Sequence, residues 1–313
     1  MLDQKLPRVT ESGAYARRML RAALRRRRAE RPELTQRLVG EALGWSPAKI
    51  MRIEKGHTRA SQSDVESLIR LYGVEDELGH QMLRWQRVGR TAKPLYERYR
   101  DLLPKDFAEY LDEEEAAAAV FAFEPLLVPG QLQTRAYALE TLRVFAGEDE
   151  ESPAEDQMER LLELRELRQR YLTDHRGAQG HFVLTEAAVR LRVGGPDVMV
   201  EQLTRLKNLD RRTNIHLHLV PDTAGLFSRY MRMPFVVLEF ADGELLAMLE
   251  REIDAQTIRD DSEQVGRVRD AFAAMTGRSV TGPALHAVLD SAIERHSRNV
   301  PPQQGTARHR PAS

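Results

Sequence analysis

The chain has 313 residues, of which 42% are hydrophobic and 30% charged, a balance typical of a folded protein with an apolar core. It contains no cysteine, which excludes disulfides, cysteine-ligated zinc and a thiol nucleophile. No apolar run reaches the ~20 residues needed to span a membrane, and residues 1–10 lack the pattern of a secretory signal. We therefore expect a cytoplasmic, nucleoid-associated protein with no membrane partner.

Charge is distributed unevenly along the chain. Residues 1–60 contain 15 Lys and Arg against 6 Asp and Glu, a net charge of +9, whereas the remainder contains 32 against 42, a net charge of −10. A basic segment on an acidic body indicates a partner with dense negative charge, such as nucleic acid. An arginine-rich helix face exposed to solvent explains the same pattern, so charge alone leaves both interpretations open.

The first part of the chain predicts a disordered segment, 1–12, followed by five short helices within 13–88. Apolar spacing predicts helices over 15–28, from Thr35 to Leu43, over 46–55, from Ser61 or Ser63 onward, and over 76–88. Thr35 and Ser46 are suitable N-caps, and Pro47 follows at a position where a missing N–H costs nothing. Gly44 and Gly56 are expected to end the second and third helices.

The second and third helices have the spacing of a helix-turn-helix. We expect them to pack through a small apolar contact: Leu38, Ala42 and Leu43 on the second helix, Ile50 and Ile53 on the third. This packing turns the opposite face of the third helix outward, with Pro47, Ala48, Lys49, Met51 and Arg52. Outward positions of that kind are the ones a recognition helix offers to base edges and phosphates.

The segment resembles the phage-repressor-like helix-turn-helix of the xenobiotic-response-element (XRE) type. The matching residues are Thr35-Gln36, Gly44-Trp45-Ser46, Ile50 and Arg52-Ile53-Glu54-Lys55-Gly56. The resemblance implies that residues 46–55 lie in the major groove and that Gln36 holds the DNA backbone. It also implies that base contacts come from Pro47, Ala48, Lys49 and Arg52, and that Glu54 pairs with Arg27 or Arg28.

Side-chain chemistry gives these positions different roles. Arg52 can make a bidentate contact with guanine, worth ~1–3 kcal/mol of discrimination, although a phosphate contact or an internal ion pair would also suit it. Lys49 is expected to meet phosphate, whereas Pro47 and Ala48 offer only apolar contact, which indicates either few base contacts per half-site or strong use of DNA shape. The predicted DNA-binding residues are Gln36, Ser46, Pro47, Ala48, Lys49, Arg52, Lys55, His57 and Arg59, the last three facing phosphates. The Arg25–Arg28 run either reaches flanking phosphates or forms a solvated helix end.

A linker, 89–105, is predicted to lead to a C-terminal domain, 106–298, followed by a disordered tail, 299–313. Its patterns predict strands at 116–123, 181–185, 215–221, 235–240 and 244–250, the last two joined by a turn at Asp242-Gly243. They predict helices at 134–146, 157–171, 196–209, 260–275 and 283–298. The fold class is α+β: an all-α helix-turn-helix domain of five helices, then a mixed α/β domain with a small, mainly antiparallel sheet.

The C-terminal part resembles a domain of formally unknown function that follows this helix-turn-helix in antitoxin-like actinobacterial transcriptional regulators. The matching runs include 123–134, 165–169, 184–188, 192–196, 214–221 and 234–240. Members of that group often have a small partner protein, and some govern development or antibiotic production. The resemblance therefore implies a regulator with a sensing or partner-binding domain.

No catalytic constellation is evident in the C-terminal part, so we expect no enzyme activity, no cofactor and no metal. His216 and His218 have a spacing that could hold a metal, but a third ligand is not evident and an exposed strand face explains them equally. The Gly194-Gly195-Pro196 turn precedes a helix, but Pro196 removes a donor, which favours a plain turn. The Pro- and Gly-rich block 124–134 could line a pocket or form a turn packed on the core.

The sequence predicts a transcriptional regulator that binds double-stranded DNA as a homodimer on two half-sites about one DNA turn apart. Its C-terminal domain would dimerise and receive either a small-molecule effector or a small partner protein. The alternative is an antitoxin-like module whose main role is binding that partner protein, with DNA binding serving autoregulation.

Overall fold

The computed structural model describes residues 12–94, 96–146, 154–173, 178–250, 255–258 and 262–298. A helical N-terminal region is followed by a mixed α/β region, which confirms the predicted fold class. The predicted tail 299–313 and all but Ser12 of the predicted segment 1–12 lie outside the described residues.

The five predicted N-terminal helices are all present. They are α1 (Gly13–Ala29), α2 (Gln36–Leu43), α3 (Pro47–Lys55), α4 (Gln62–Tyr72) and α5 (Asp76–Thr91). Ser12 caps α1, which therefore begins two residues before the predicted start. Of the two candidate caps for α4, Ser61 is the one used: its hydroxyl accepts from Asp64 N, and the Asp64 carboxylate accepts from Ser61 N.

The turn between α2 and α3 is built as its residues predict. The Ser46 hydroxyl accepts a hydrogen bond from Lys49 N at 3.2 Å, and Pro47 opens α3. Gly44 ends α2 at φ 66° and Gly56 ends α3 at φ 81°, backbone conformations that favour glycine. These local signals fix the length and direction of α3.

The predicted contact between α2 and α3 is correct for α3 and partly wrong for α2. Ile50 and Ile53 are buried, at 1% and 3% exposure, but Leu38 is 37% exposed and Ala42 is also exposed. Val39 and Gly40 are the fully buried α2 residues. Glycine suits this place because a Cβ at Gly40 would lie 2.6 Å from the Trp45 carbonyl oxygen. Val39 and Gly40, rather than Leu38 and Ala42, therefore form the inward face of α2.

The C-terminal region contains helices α6 (Lys105–Ala116), α7 (Arg135–Ala146), α8 (Glu155–Thr173), α9 (Glu186–Arg190), α10 (Pro196–Leu209), α11 (Ser262–Thr276) and α12 (Gly282–Arg298). Its strands are β1 (Ala119–Glu124), β2 (Gln179–Thr185), β3 (Ile215–Val220), β4 (Phe235–Glu239), β5 (Leu245–Glu250) and β6 (Ala255–Ile258). Helix α6, the short α9 and strand β6 were not predicted. Helix α6 includes Ala116, where the first strand was predicted to begin.

The described strands form one mixed sheet in the order β3-β2-β1-β4-β5-β6. Strands β1, β2 and β3 pair in parallel, whereas β4 pairs antiparallel with β1 and β5, and β5 pairs antiparallel with β6. The predicted hairpin joins β4 to β5, with Gly243 at φ 80°. This hairpin places Asp242 and Glu244 beside Arg18 of α1.

Both faces of the sheet are covered by helices. One face packs on α10 and α12 through residues such as Phe182, Leu184 and Leu217, and the other packs on α11 through Phe123 and Phe235. A third apolar cluster joins α6 and α8 and includes the side chains of Tyr96 and Tyr99 from the predicted linker. Val128 and Leu132 are buried in the first cluster, so the second half of the block 124–134 packs on the core, whereas Leu126 is 56% exposed.

Candidate nucleic-acid interface

Helix α3 presents an exposed face formed by the residues that sequence reasoning placed there. Pro47, Ala48, Met51 and Arg52 are exposed and Lys49 is half-buried. The opposite face is held in the core by Ile50 and Ile53, which pack with residues of α1, α4 and α5. The apolar anchor therefore sets which side chains of α3 are available to a ligand.

Arg52 lies in the last turn of α3 with its side chain exposed. Within the described part of the chain, no carboxylate forms an ion pair with it. The internal ion pair considered for Arg52 is therefore not formed here, and its guanidinium is available for a bidentate contact. Lys55, His57 and Arg59 follow it and are also exposed.

Lys49 is already engaged within the protein. Its Nζ lies 2.6 Å from Asp64 Oδ1 and 3.7 Å from the centre of the Trp45 ring. Burial alone would raise the pKa of Asp64, but hydrogen bonds from Lys49 and Ser61 outweigh it and lower that pKa below its usual value. A phosphate contact by Lys49 would therefore require exchange of this ion pair.

Gln36 and Glu54 are joined at the start of α2 and the end of α3. Gln36 Nε2 donates to Glu54 Oε2 at 2.8 Å, and Arg28 binds both oxygens of the same buried carboxylate. The pairing implied for Glu54 is thus made by Arg28, whereas Arg27 binds Glu30. This network holds the Gln36 side chain in a defined position.

Sequence reasoning missed the role of the arginines in the first turns of α1. Arg18 Nη1 and Arg21 Nη2 each lie 3.1 Å from an oxygen of Glu113 on α6, whose side chain is 4% exposed. Arg17 pairs with the neighbouring Asp112. Much of the basic charge of α1 therefore forms ion pairs that hold this helix against the acidic C-terminal region.

The β4–β5 hairpin makes a second contact with α1. Glu244 accepts from Arg18 at 2.8 Å and from Arg25 at 2.6 and 2.7 Å, and Arg18 stacks on the Phe240 ring, 3.2 Å from its centre. Burial, partly offset by the nearby carboxylates, lowers the pKa of Arg18. In the predicted Arg25–Arg28 run, only Arg26 has a side chain that is largely exposed, at 82%. No local sequence signal indicates these pairs, because their partners lie some 200 residues away.

Of the two histidines considered as metal ligands, His216 belongs to an aromatic stack. His181, which sequence reasoning did not single out, lies between Phe121 and His216, with ring centres 4.7 and 4.5 Å away. Burial, reinforced by the nearby histidines and Arg269, lowers the pKa of His181 to about 4, and burial also lowers the pKa of His218. In the described ranges, no group of three candidate ligands is placed to hold a metal ion.

The turn before α10 has the predicted form. Gly194 adopts φ 67° and Pro196 opens α10, as expected for a turn that precedes a helix.

Within the portion of the chain covered by the structure, no helix has the length and apolar character required to span a bilayer.

Comparison with protein-family models gave two matches. Residues 19–81 match a helix-turn-helix domain, which includes α2 and α3 and suggests DNA binding. Residues 107–291 match a domain of unknown function, DUF5753, which includes all the strands of the sheet. No curated protein and no solved structure matches the chain. The chain belongs to the family defined by DUF5753, here preceded by a helix-turn-helix domain.

Proposed function

We propose that this protein is a sequence-specific transcriptional regulator of the XRE type that places α3 in the major groove of double-stranded DNA. The observation that carries the proposal is the exposed Arg52 on a helix whose other face is fixed by Ile50 and Ile53. Arg52 would bind a guanine edge, while the small side chains Pro47 and Ala48 allow close approach to the bases.

Backbone contacts would come from both sides of α3. Gln36, Lys55 and His57 line one common cleft, so a phosphate strand that passes its mouth would meet all three. Ser46 fixes the start of α3 by capping, and Arg59 extends the basic surface after it. Lys49 would join these contacts by exchanging Asp64 for phosphate.

A homodimer suits this mode of binding, because one helix-turn-helix buries too little surface for tight specific recognition. The C-terminal domain would pair two copies and receive a signal. Its direct ionic contacts with α1 support the signalling part of this role, because they link a change in the C-terminal region to the DNA-binding helices.

An antitoxin-like role, with a small partner protein as the main ligand, is the second candidate. It is favoured by exposed apolar side chains in the C-terminal region, among them Val144 at 59% and Phe145 at 55% exposure. Purification from the native cell separates the two hypotheses: a stoichiometric small protein bound to the chain supports this one.

The test of DNA binding is to incubate the purified full-length protein with genomic fragments, recover those that it retains, and sequence them. We expect a recurrent motif with two half-sites about one DNA turn apart. Affinity for that motif should fall steeply as salt rises, because phosphate contacts release counterions. Retention of fragments with no common motif would contradict the proposal of sequence-specific binding.

A further inference from the structure

A cleft of about 670 Å³ lies between the helix-turn-helix domain and the C-terminal region. Helices α1, α2 and α3 form one wall, and the β4–β5 hairpin with Val265 of α11 forms the other. The volume is within the range of roughly 300–1,000 Å³ that is usual for small-molecule sites. The cleft is therefore large enough for a ligand held by both domains.

The wall of the cleft is predominantly cationic. Five side chains with a fixed positive charge line it, against two lining carboxylates, Glu54 and Glu244, while Glu113 and Asp242 bind Arg18 and Arg21 from outside the lining. The positive side chains are Arg18, Arg21, Arg25, Arg28 and Lys55, and His57 lies beside them. Arginine forks of this kind bind phosphate and carboxylate groups in a two-point geometry. The chemistry of the wall suits a small ligand with several negative charges.

Glu244 occupies part of this cationic wall from the opposite domain. Its two oxygens lie 2.6 and 2.7 Å from Arg25 Nη2, yet its side chain remains 46% exposed. Beside it, Arg18 Nε and Asp242 Oδ2 are 3.6 Å apart, and both atoms are buried without a hydrogen bond to any described residue. The hairpin therefore presents the exposed Glu244 carboxylate, which is paired with Arg25, next to the Arg18–Asp242 contact, which lacks a hydrogen bond.

We propose that this cleft is the effector site, and that it binds a small polyanion carrying at least two phosphate or carboxylate groups. One group takes the place of Glu244 on Arg25, and the other reaches Lys55 and His57 on the DNA-binding side. The effect on transcription rests on the proposed function, since Gln36, Lys55 and His57 are predicted DNA contacts. The ligand would separate the hairpin from α1 and compete with DNA phosphate.

The proposal is tested with inorganic pyrophosphate as the probe, by isothermal titration calorimetry on the full-length protein without DNA. We expect saturable binding that is weakened about tenfold or more in Arg25→Ala, which loses a charge-assisted contact. Arg26→Ala removes the same charge one residue away, where the side chain points to solvent and binds Glu30, so its affinity should match the wild type. Glu244→Gln removes the competing carboxylate and should bind more tightly.

Three results would overturn the proposal: no saturable pyrophosphate binding, equal losses in Arg25→Ala and Arg26→Ala, or unchanged or weaker binding in Glu244→Gln. Because this titration contains no DNA, its outcome is independent of whether the protein recognises an operator. A second titration, with labelled DNA present, measures the regulation. Pyrophosphate should displace DNA from the wild type more readily than from Arg25→Ala, and equal displacement would contradict competition through the cleft.

Discussion

Arg28 and Glu54 form a two-point ion pair, with Nε 2.6 Å from Oε1 and Nη2 2.9 Å from Oε2. The pair joins the C-terminal end of α1 to the last turn of α3, and Glu54 is almost completely buried. The hydrogen bond to Glu54 outweighs the opposing effect of burial and raises the pKa of Arg28. The pair therefore holds the last turn of α3 against the C-terminal end of α1.

Replacing Arg28 with alanine should lower the free energy of unfolding of the helical region by about 3–5 kcal/mol, because the buried Glu54 carboxylate loses its cationic partner and keeps the neutral Gln36 donor. Arg27→Ala is the matched control: its exposed pair with Glu30 should contribute under about 1 kcal/mol. Urea unfolding followed by circular dichroism measures both variants. Equal midpoints would show that the Arg28–Glu54 pair does not support the helix-turn-helix.

Glu113→Ala should weaken the attachment of α1 to α6. The substitution leaves Arg18 and Arg21 without a buried carboxylate, at a cost of about 3–5 kcal/mol. Differential scanning calorimetry should show an earlier unfolding transition of the helical region that is separate from that of the sheet. Glu77→Ala, which removes an exposed carboxylate from α5, should leave the wild-type profile unchanged. A Glu113→Ala profile identical to that of the control would contradict the docking role.

His181 predicts a pH dependence of stability. Its folded pKa is lowered to about 4, so the unfolded chain binds the proton more readily between about pH 6.5 and that value. The contribution of neutral His181 is complete above about pH 6.5 and is lost as the pH falls towards 4. We expect the urea midpoint to fall between pH 7 and pH 5 in the wild type, and to fall less in His181→Phe. His80→Phe, at an exposed position of α5, should keep the wild-type slope.

Asp64→Asn should strengthen DNA binding by releasing Lys49. Asparagine keeps an acceptor for Ser61 N, so the cap of α4 is retained while the Lys49 ammonium becomes free for phosphate. Fluorescence anisotropy at several salt concentrations should show tighter binding and a salt slope steeper by about one. Glu66→Gln makes the same charge change on α4 and should leave the slope unchanged. An unchanged slope in Asp64→Asn would mean that Lys49 makes no phosphate contact.

Local signals predicted the helix-turn-helix well because they act within a few residues. Ser46, Gly44 and Gly56 set the ends of their helices through caps and positive φ angles, and the structure uses each of them as expected. The predicted burial of Leu38 was wrong, because Val39 and Gly40 face inward instead and Gly40 lies close to the Trp45 carbonyl oxygen. Such an approach is a property of the packed turn rather than of apolar spacing.

Contacts between distant segments could not be predicted in this way. The pairing of Arg18 with Glu244 joins residues 226 positions apart, and nothing near either residue indicates the other. His181 meets His216 only because β2 and β3 pair in parallel in that register. The cleft between the domains is formed by the same kind of long-range contact. The sequence therefore indicated which charged residues are present, but not how they are arranged around the cleft.

The central claim is that α3 recognises DNA sequence through Arg52. The most direct measurement is the ratio of dissociation constants for the selected site and a scrambled site, compared between the wild type and Arg52→Ala. Arg84→Ala, on the exposed face of α5, is the matched control. We predict that Arg52→Ala loses about 1–3 kcal/mol of discrimination, while Arg84→Ala retains it. Full discrimination in Arg52→Ala would contradict the claim that α3 reads DNA sequence through Arg52.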